Sequence, residues 1–175
     1  MDTRPQPHLR SETSYSKFQP HITLAALPSP SPSLAEILSS IPESQPALPI
    51  TFDSIEVGSH FFRSVYIAVR PTSALSDLHH YVHAKLGIEP KTPAYPHISL
   101  CYINDADAAT GERVRYLQEL ENTGKVRRNH DSVSLNCGDH GEDKWLSGFQ
   151  SPEIWIVNCE GPVETWTVER KISLC

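Results

Sequence analysis

The sequence lacks any apolar run approaching the roughly 20 residues that a membrane-spanning helix needs. Its first 20 residues contain no apolar core of a secretory signal, so an intracellular, cytoplasmic protein is expected. Cysteine is sparse: Cys101, Cys137, Cys159 and Cys175 form no C-x-x-C pair. That spacing excludes zinc-ribbon and thioredoxin readings, and four thiols are too few for a disulfide scaffold, so they read as reduced. A positive excess is also missing. Lys and Arg number 15 against 21 Asp and Glu, a net charge of −6, which makes a poor general coat for nucleic acid. A small anionic ligand is still allowed, because it needs only a local cluster of donors. What remains is a chain of 175 residues, 38% hydrophobic and 21% charged, sized for one domain or for two small lobes sharing a core.

Fifteen prolines punctuate it. Met1–Lys17 shows neither helical nor strand period and reads as a flexible lead-in. A strand-like run follows at Gln19–Leu27, then a short helix with Leu34, Ile37, Leu38 and Ile41 on one stripe, ended by Pro42. Ile50–Val57 and Ser64–Arg70 read as strands. Thr72 or Ser73 caps a helix striped by Leu75, Leu78, Val82 and Leu86 and stopped by Gly87. Pro96–Ile103 is strand-like. The spacing predicts a helix over about Asp107–Asn122 with Val114, Leu117 and Leu120 inward, then a strand at Asp131–Leu135 and a polar loop at Cys137–Ser151. Strands at Glu153–Asn158 and Val163–Leu174 close the chain. In the last, Trp166, Val168, Ile172 and Leu174 share a face that Arg170 interrupts.

The chain repeats itself. Pro20-His21-Ile22-Thr23-Leu24 matches Pro96-His97-Ile98-Ser99-Leu100, and each copy precedes a helix. Asp53-Ser54-Ile55 then matches Asp131-Ser132-Val133, and Val65-Tyr66-Ile67 resembles Ile154-Trp155-Ile156. The pattern implies two related lobes about a pseudo-two-fold axis, with an insertion in the second near Asp139–Gln150.

Side chains alternate along a strand. His21 and Thr23 therefore share one face while Ile22 and Leu24 enter the core, and His97 and Ser99 do the same in the second copy. Two such strands set face to face surround a cleft with two imidazoles and two hydroxyls. That set suits a phosphodiester. One histidine takes a proton from attacking water, the other protonates the leaving sugar oxygen, and the hydroxyls donate to the phosphate oxygens. This chemistry requires no metal, and no cofactor is expected. A lone Pro-His-apolar-Ser/Thr-apolar string is weak evidence, but roughly 0.02 copies are expected from scrambled composition, and the chain has two.

At these residues the chain resembles the 2H phosphoesterase superfamily, named for its paired H-x-T/S-x motifs. Within it, Phe18–Leu24, Pro96–Tyr102 and the closing stretch Glu153–Trp166 are similar to the eukaryotic cyclic phosphodiesterases of fungi and plants. The resemblance covers about Phe18 to Leu174. It implies an α+β fold of two duplicated lobes, around 18–70 and 90–175, with two mainly antiparallel sheets about a central cleft and helices outside. It implies hydrolysis of 2′,3′-cyclic nucleotides to 2′-phosphates, and of ADP-ribose 1″,2″-cyclic phosphate, a by-product of tRNA splicing. His97 would be the base and His21 the acid; Thr23 and Ser99 would hold the phosphate, and Tyr102 would contact substrate. Strict alternation puts Tyr102 opposite His97, so that last role requires the strand to end or bulge. The implied partner is a small cyclic phosphate met by a monomer, with no stable nucleic-acid complex and no membrane span; Golgi association is compatible with the resemblance. Family members usually carry another strand and helix before the first motif, whereas 20 residues precede His21 here, so either the chain begins late or the first lobe is trimmed. Two other readings fit the same residues: a 2H phosphodiesterase acting on RNA ends, and a non-catalytic nucleotide- or ADP-ribose-binding module.

Other candidates are weaker. His79 and His83 lie one helical turn apart, as in zinc-binding H-E-x-x-H helices, but His80 replaces the glutamate and no third ligand is evident, so a structural or solvent-exposed role is the better reading. Cys101, two residues after Ser99, is expected on the same face as a small packed residue. Lys17, Arg63, Arg70 and Lys91 read as surface charge able to steer an anion. Trp155 and Trp166 read as core residues.

Overall fold

The computed structural model describes residues 13–92, 95–138 and 142–175. In chain order these residues form α1 (Leu34–Ser39), β1 (Leu48–His60), β2 (Arg63–Val69), α2 (Ser73–Leu86), β3 (His97–Cys101), α3 (Asp105–Ala109) and α4 (Glu112–Asn122). β4 (Val126–Arg128), β5 (Val133–Asn136), β6 (Trp145–Leu146), β7 (Gly148–Ser151), β8 (Glu153–Asn158) and β9 (Thr167–Ser173) follow, with a 3-10 turn at Val163–Thr165. The fold is α+β, and every strand pairing is antiparallel. Three sheets occur among the described residues, not two: β3-β2-β1-β7, β4-β5-β6 and β8-β9.

A row of four isoleucines runs across the first sheet. Ile55 pairs with Ile67, Ile67 with Ile98, and Ile98 with Ile22. Directly opposed residues on antiparallel neighbours point to the same side. Ile55, Ile67 and Ile98 are buried in the main core with Phe52, Val65 and Val69, and Ile22 packs partly against it. Each fully buried aliphatic side chain contributes about 1.5–3 kcal/mol, so this row strongly specifies the register.

α2 forms as its sequence predicts. Thr72 caps it by accepting from the Leu75 N–H, and Gly87 ends it at φ 63°, where a left-handed residue is needed. The helix expected over 107–122 is broken in two. Gly111, at φ 88°, ends α3 and resets the phase, so α4 turns Arg113, Tyr116 and Leu120 inward and leaves Val114 48% exposed. The Cys137–Ser151 stretch is not all loop. β6 joins β5, and β7 extends the first sheet along β1, where Gly148 fits because a Cβ would meet the Ile50 carbonyl oxygen at 2.1 Å.

The expected apolar face of the last strand is also broken. The pairing shifts by one residue between Ile156–Arg170 and Val157–Val168, which puts Arg170 on the side of Ile172 and Val168 on the other. Neither tryptophan is a core residue. Trp155 is exposed beneath the Lys171 ammonium at 3.9 Å, and Trp166 is half-buried.

Met1–Glu12 of the lead-in lie outside the described residues. From Thr13 on the segment is docked. The Ser14 hydroxyl donates to Asp107 at 2.6 Å, the Tyr15 hydroxyl to Glu112 at 2.6 Å, and the Tyr15 N–H to the Tyr102 carbonyl at 2.7 Å.

His79 and His83 face inward from α2. The His79 ring stacks on Tyr95 at 4.0 Å and lies 4.2 Å from the His83 ring. Burial, with His83 and His80 nearby, holds the His79 imidazole below its ordinary range. The unfolded chain therefore takes up this proton, from about pH 6.5 downward, before the folded one does, and stability is lost as pH falls through that window. Wild-type melting temperature should drop more between pH 7.5 and 5.5 than that of His79→Phe, which keeps the stack and cannot titrate. Equal drops would assign the acid sensitivity to other groups.

Candidate active site

Two short segments meet at the edge of the first sheet. The Gln19–Leu27 run, expected as a strand, forms no regular strand; its one ladder contact is the antiparallel bridge from Ile22 to Ile98. That contact suffices to set the register of the motifs. With Ile22 opposite Ile98, His21 neighbours Ser99 and Thr23 neighbours His97. Both isoleucines are taken by the core, so all four polar residues belong to the other face. The motifs thus lie side by side in one surface rather than face to face across a cleft. His21 and His97 form a diagonal pair, for which the ordinary antiparallel spacing is about 7–8 Å.

The same face continues across the sheet. Ala68 stands opposite His97, Tyr66 opposite Ser99, and Glu56 opposite Tyr66. The Tyr66 ring meets the His97 ring edge-on, with centroids 5.4 Å apart. His21 is exposed, and its Nδ1 donates to the Gln19 carbonyl at 2.7 Å, because that oxygen can only accept. Nε2 is therefore left as the nitrogen that can exchange a proton with a ligand. The Thr23 hydroxyl makes no hydrogen bond to protein among the described residues. The buried Ser99 hydroxyl is engaged: it donates to the Phe62 carbonyl at 2.6 Å.

One irregularity decides two further residues. Tyr66 pairs with Ser99, but Val65 pairs with Cys101, so Leu100 is an extra residue and β3 is bulged there. The bulge resets the alternation. Cys101, expected beside Ser99, turns instead into the core with Ile98 and Val65. Tyr102 returns to the side of His97 and Ser99. Its ring stacks on Phe18 at 4.0 Å and packs against Phe61 and Phe62 at 5.5 and 5.4 Å, while Phe18 meets the His21 ring at 6.5 Å. Burial, with Cys159 nearby, raises the Tyr102 phenol well above its ordinary range, so it remains a neutral donor.

The aromatic wall beside the motifs is assembled from residues far apart in the chain. Phe62 is 45% exposed and lies 5.9 Å from Trp166. Its only sequence signal is the Phe61-Phe62 pair at the tip between two strands. Of the candidate cations, Lys17, Arg70 and Lys91 are exposed and Arg63 is half-buried. Arg70 belongs to a separate polar depression, where it pairs with Asp53 at 3.1 Å and donates to the Asp131 carbonyl at 2.6 Å, so the repeated Asp-Ser pairs meet there. Among the described residues no three His, Cys, Asp or Glu side chains gather in a way that could hold a metal ion. None of the described helices is long and apolar enough to cross a membrane.

Burial pushes the Cys101 thiol far up and also raises Cys159, whereas Cys175 is exposed; these three are free thiols. An alkylating reagent should therefore label Cys175 fastest, Cys159 more slowly, and Cys101 only on unfolding. Peptide mass spectrometry after timed quenching reads the order, and early labelling of Cys101 would contradict the bulged register.

No curated protein matches the chain significantly. A family model does, that of the cyclic phosphodiesterase-like proteins, over residues 6–174. That span takes in both histidine motifs, the bulged strand and the closing β8-β9 hairpin. The chain belongs to the cyclic phosphodiesterase-like family, and its activity is that of a hydrolase of cyclic phosphodiesters.

Proposed function

We propose that the protein opens nucleoside 2′,3′-cyclic phosphates, and the chemically equivalent 1″,2″-cyclic phosphate of ADP-ribose, with His21 and His97 as a proton-transferring pair. The observation that carries this reading is the Ile22–Ile98 bridge, which sets both motifs side by side on one face. His97 takes a proton from water as its oxygen attacks phosphorus. The bond from phosphorus to the 3′ oxygen breaks, and His21, oriented by the Gln19 carbonyl, gives that oxygen a proton through Nε2. A diagonal separation of about 7–8 Å leaves room for one phosphate between the rings. Thr23 and Ser99 donate to the non-bridging oxygens, and Tyr102 borders the substrate.

The pseudo-two-fold duplication is supported by two meetings of equivalent residues: Ile22 with Ile98, and Asp53 with Asp131 through Arg70. The substrate class is a small cyclic phosphate bound by a monomer in the cytoplasm. A net charge of −6 speaks against the long positive groove of an RNA-end phosphodiesterase. A tRNA-splicing by-product as the physiological substrate is what the resemblance to the cyclic phosphodiesterases implies, and the bare binding module is separated from the enzyme by turnover itself.

The test is hydrolysis of a 2′,3′-cyclic nucleotide. His21→Ala and His97→Ala should each lower kcat by about 10²-fold or more while melting normally, since neither side chain serves the core. Thr23→Ala should cost more than Ser99→Ala. Thr23 is already free to donate, whereas Ser99 must first leave the Phe62 carbonyl, so its net gain is an exchange of one bond for another. EDTA should change nothing. A His21→Ala variant with normal kcat would sink the two-histidine mechanism.

A further inference from the structure

Beside the candidate site stands a cation without a carboxylate partner among the described residues. Arg63 opens β2, next to the Phe61-Phe62 tip. Its guanidinium carbon lies over the Tyr66 ring, 5.7 Å from the centroid, and that ring is the one that meets His97. Arg63 therefore stands one aromatic ring away from His97, on the side of Ser99. The side chain is half-buried, and its Nε is closed off from solvent with no hydrogen-bond partner among the described residues. Four other arginines are matched by carboxylates: Arg70 by Asp53, Arg113 by Asp105, Arg115 by Glu112 and Arg128 by Glu121, at 2.7–3.1 Å. Arg63 forms no such pair among the described residues. Glu56, opposite Tyr66 on β1, points to solvent without reaching it.

A guanidinium stays charged at every working pH, and covering one of its donors without an acceptor is costly. An anion would meet the outer nitrogens of the same guanidinium, whose charge no carboxylate among the described residues offsets. Gly58 makes the arrangement possible, since a Cβ there would meet the Arg63 carbonyl oxygen at 1.9 Å and Tyr66 Cε1 at 3.3 Å. We infer that Arg63 is a specificity-determining residue that binds a second anionic group of the substrate, a phosphate or diphosphate carried about one sugar away from the cyclic phosphate. The Tyr66 ring separates Arg63 from His97, so the group it takes is not the phosphate under attack. The substrates favoured are cyclic phosphates bearing a further phosphate over those bearing none. This rests on the function proposed above.

The experiment compares adenosine 2′,3′-cyclic phosphate with the same compound carrying a 5′-phosphate, using wild type, Arg63→Gln and Arg63→Lys of confirmed melting temperature. Wild-type kcat/KM should be about tenfold or more higher for the 5′-phosphorylated substrate, through KM, as expected for a charge-assisted contact. Arg63→Gln should erase the preference while changing kcat/KM on the other substrate less than about threefold. Arg63→Lys should keep part of it, as a point charge without the planar fork. A wild type with no preference, or an Arg63→Gln loss equal on both substrates, overturns the inference. If neither substrate is hydrolysed, the proposed function fails instead. Equilibrium titration with adenosine 2′,5′-bisphosphate and adenosine 2′-phosphate then decides the anion site separately: Arg63→Gln must weaken the first alone, and equal wild-type affinities overturn it.

Discussion

A single antiparallel contact, Ile22 against Ile98, holds the candidate site together. The segment bearing His21 and Thr23 has no regular ladder of its own. Its register depends on placing Ile22 at the end of the Ile55–Ile67–Ile98 row, where the core accepts it. A slip by one residue would turn His21 and Thr23 into the core and Ile22 outward, which the hydrophobic effect forbids. Chemistry at the surface is thus set by apolar packing beneath it.

Around that contact the polar groups are held by short backbone tethers. The Gln19 carbonyl orients His21, and the Phe62 carbonyl occupies Ser99. The hairpin tip that supplies Phe62 is itself fixed: Ser64 Oγ donates to the Phe61 carbonyl at 2.8 Å and accepts from the Ile103 N–H at 2.9 Å, and the buried Arg113 donates to Ser64 Oγ at 3.2 Å. These bonds lie under the aromatic cluster of Phe18, Phe61, Phe62 and Tyr102. The cluster keeps that end of the site apolar, and Arg63, next to the Phe61-Phe62 tip, adds a charge beside it.

Bulges do the rest. The extra residue Leu100 in β3 sends Cys101 to the core and Tyr102 to the site. The shift in β8-β9 does the same for Arg170 and Val168. In both places one inserted residue re-aims every side chain beyond it, at the cost of a ladder bond.

The sequence by itself determined the α+β class, the capped helix at 73–86, the strands at 50–57 and 64–70, the closing strands and the two histidine motifs, because each is written in local periodicity, caps or repetition. It also determined that Ile22 and Ile98 face inward, since an apolar residue between two polar ones on an extended segment has one buried option. Tertiary structure alone decided the rest. The helix expected over 107–122 is split by the left-handed Gly111, and only packing shows that Tyr116 outranks Val114 for the core. β6 and β7 are only two and four residues long, too short to show a period, so their strand character comes from the edges that receive them. The side of Tyr102 hinged on a bulge that no alternation rule contains. The unmatched charge of Arg63 depended on which carboxylates failed to reach it. Those outcomes are set by contacts between residues far apart in the chain, which local pattern does not encode.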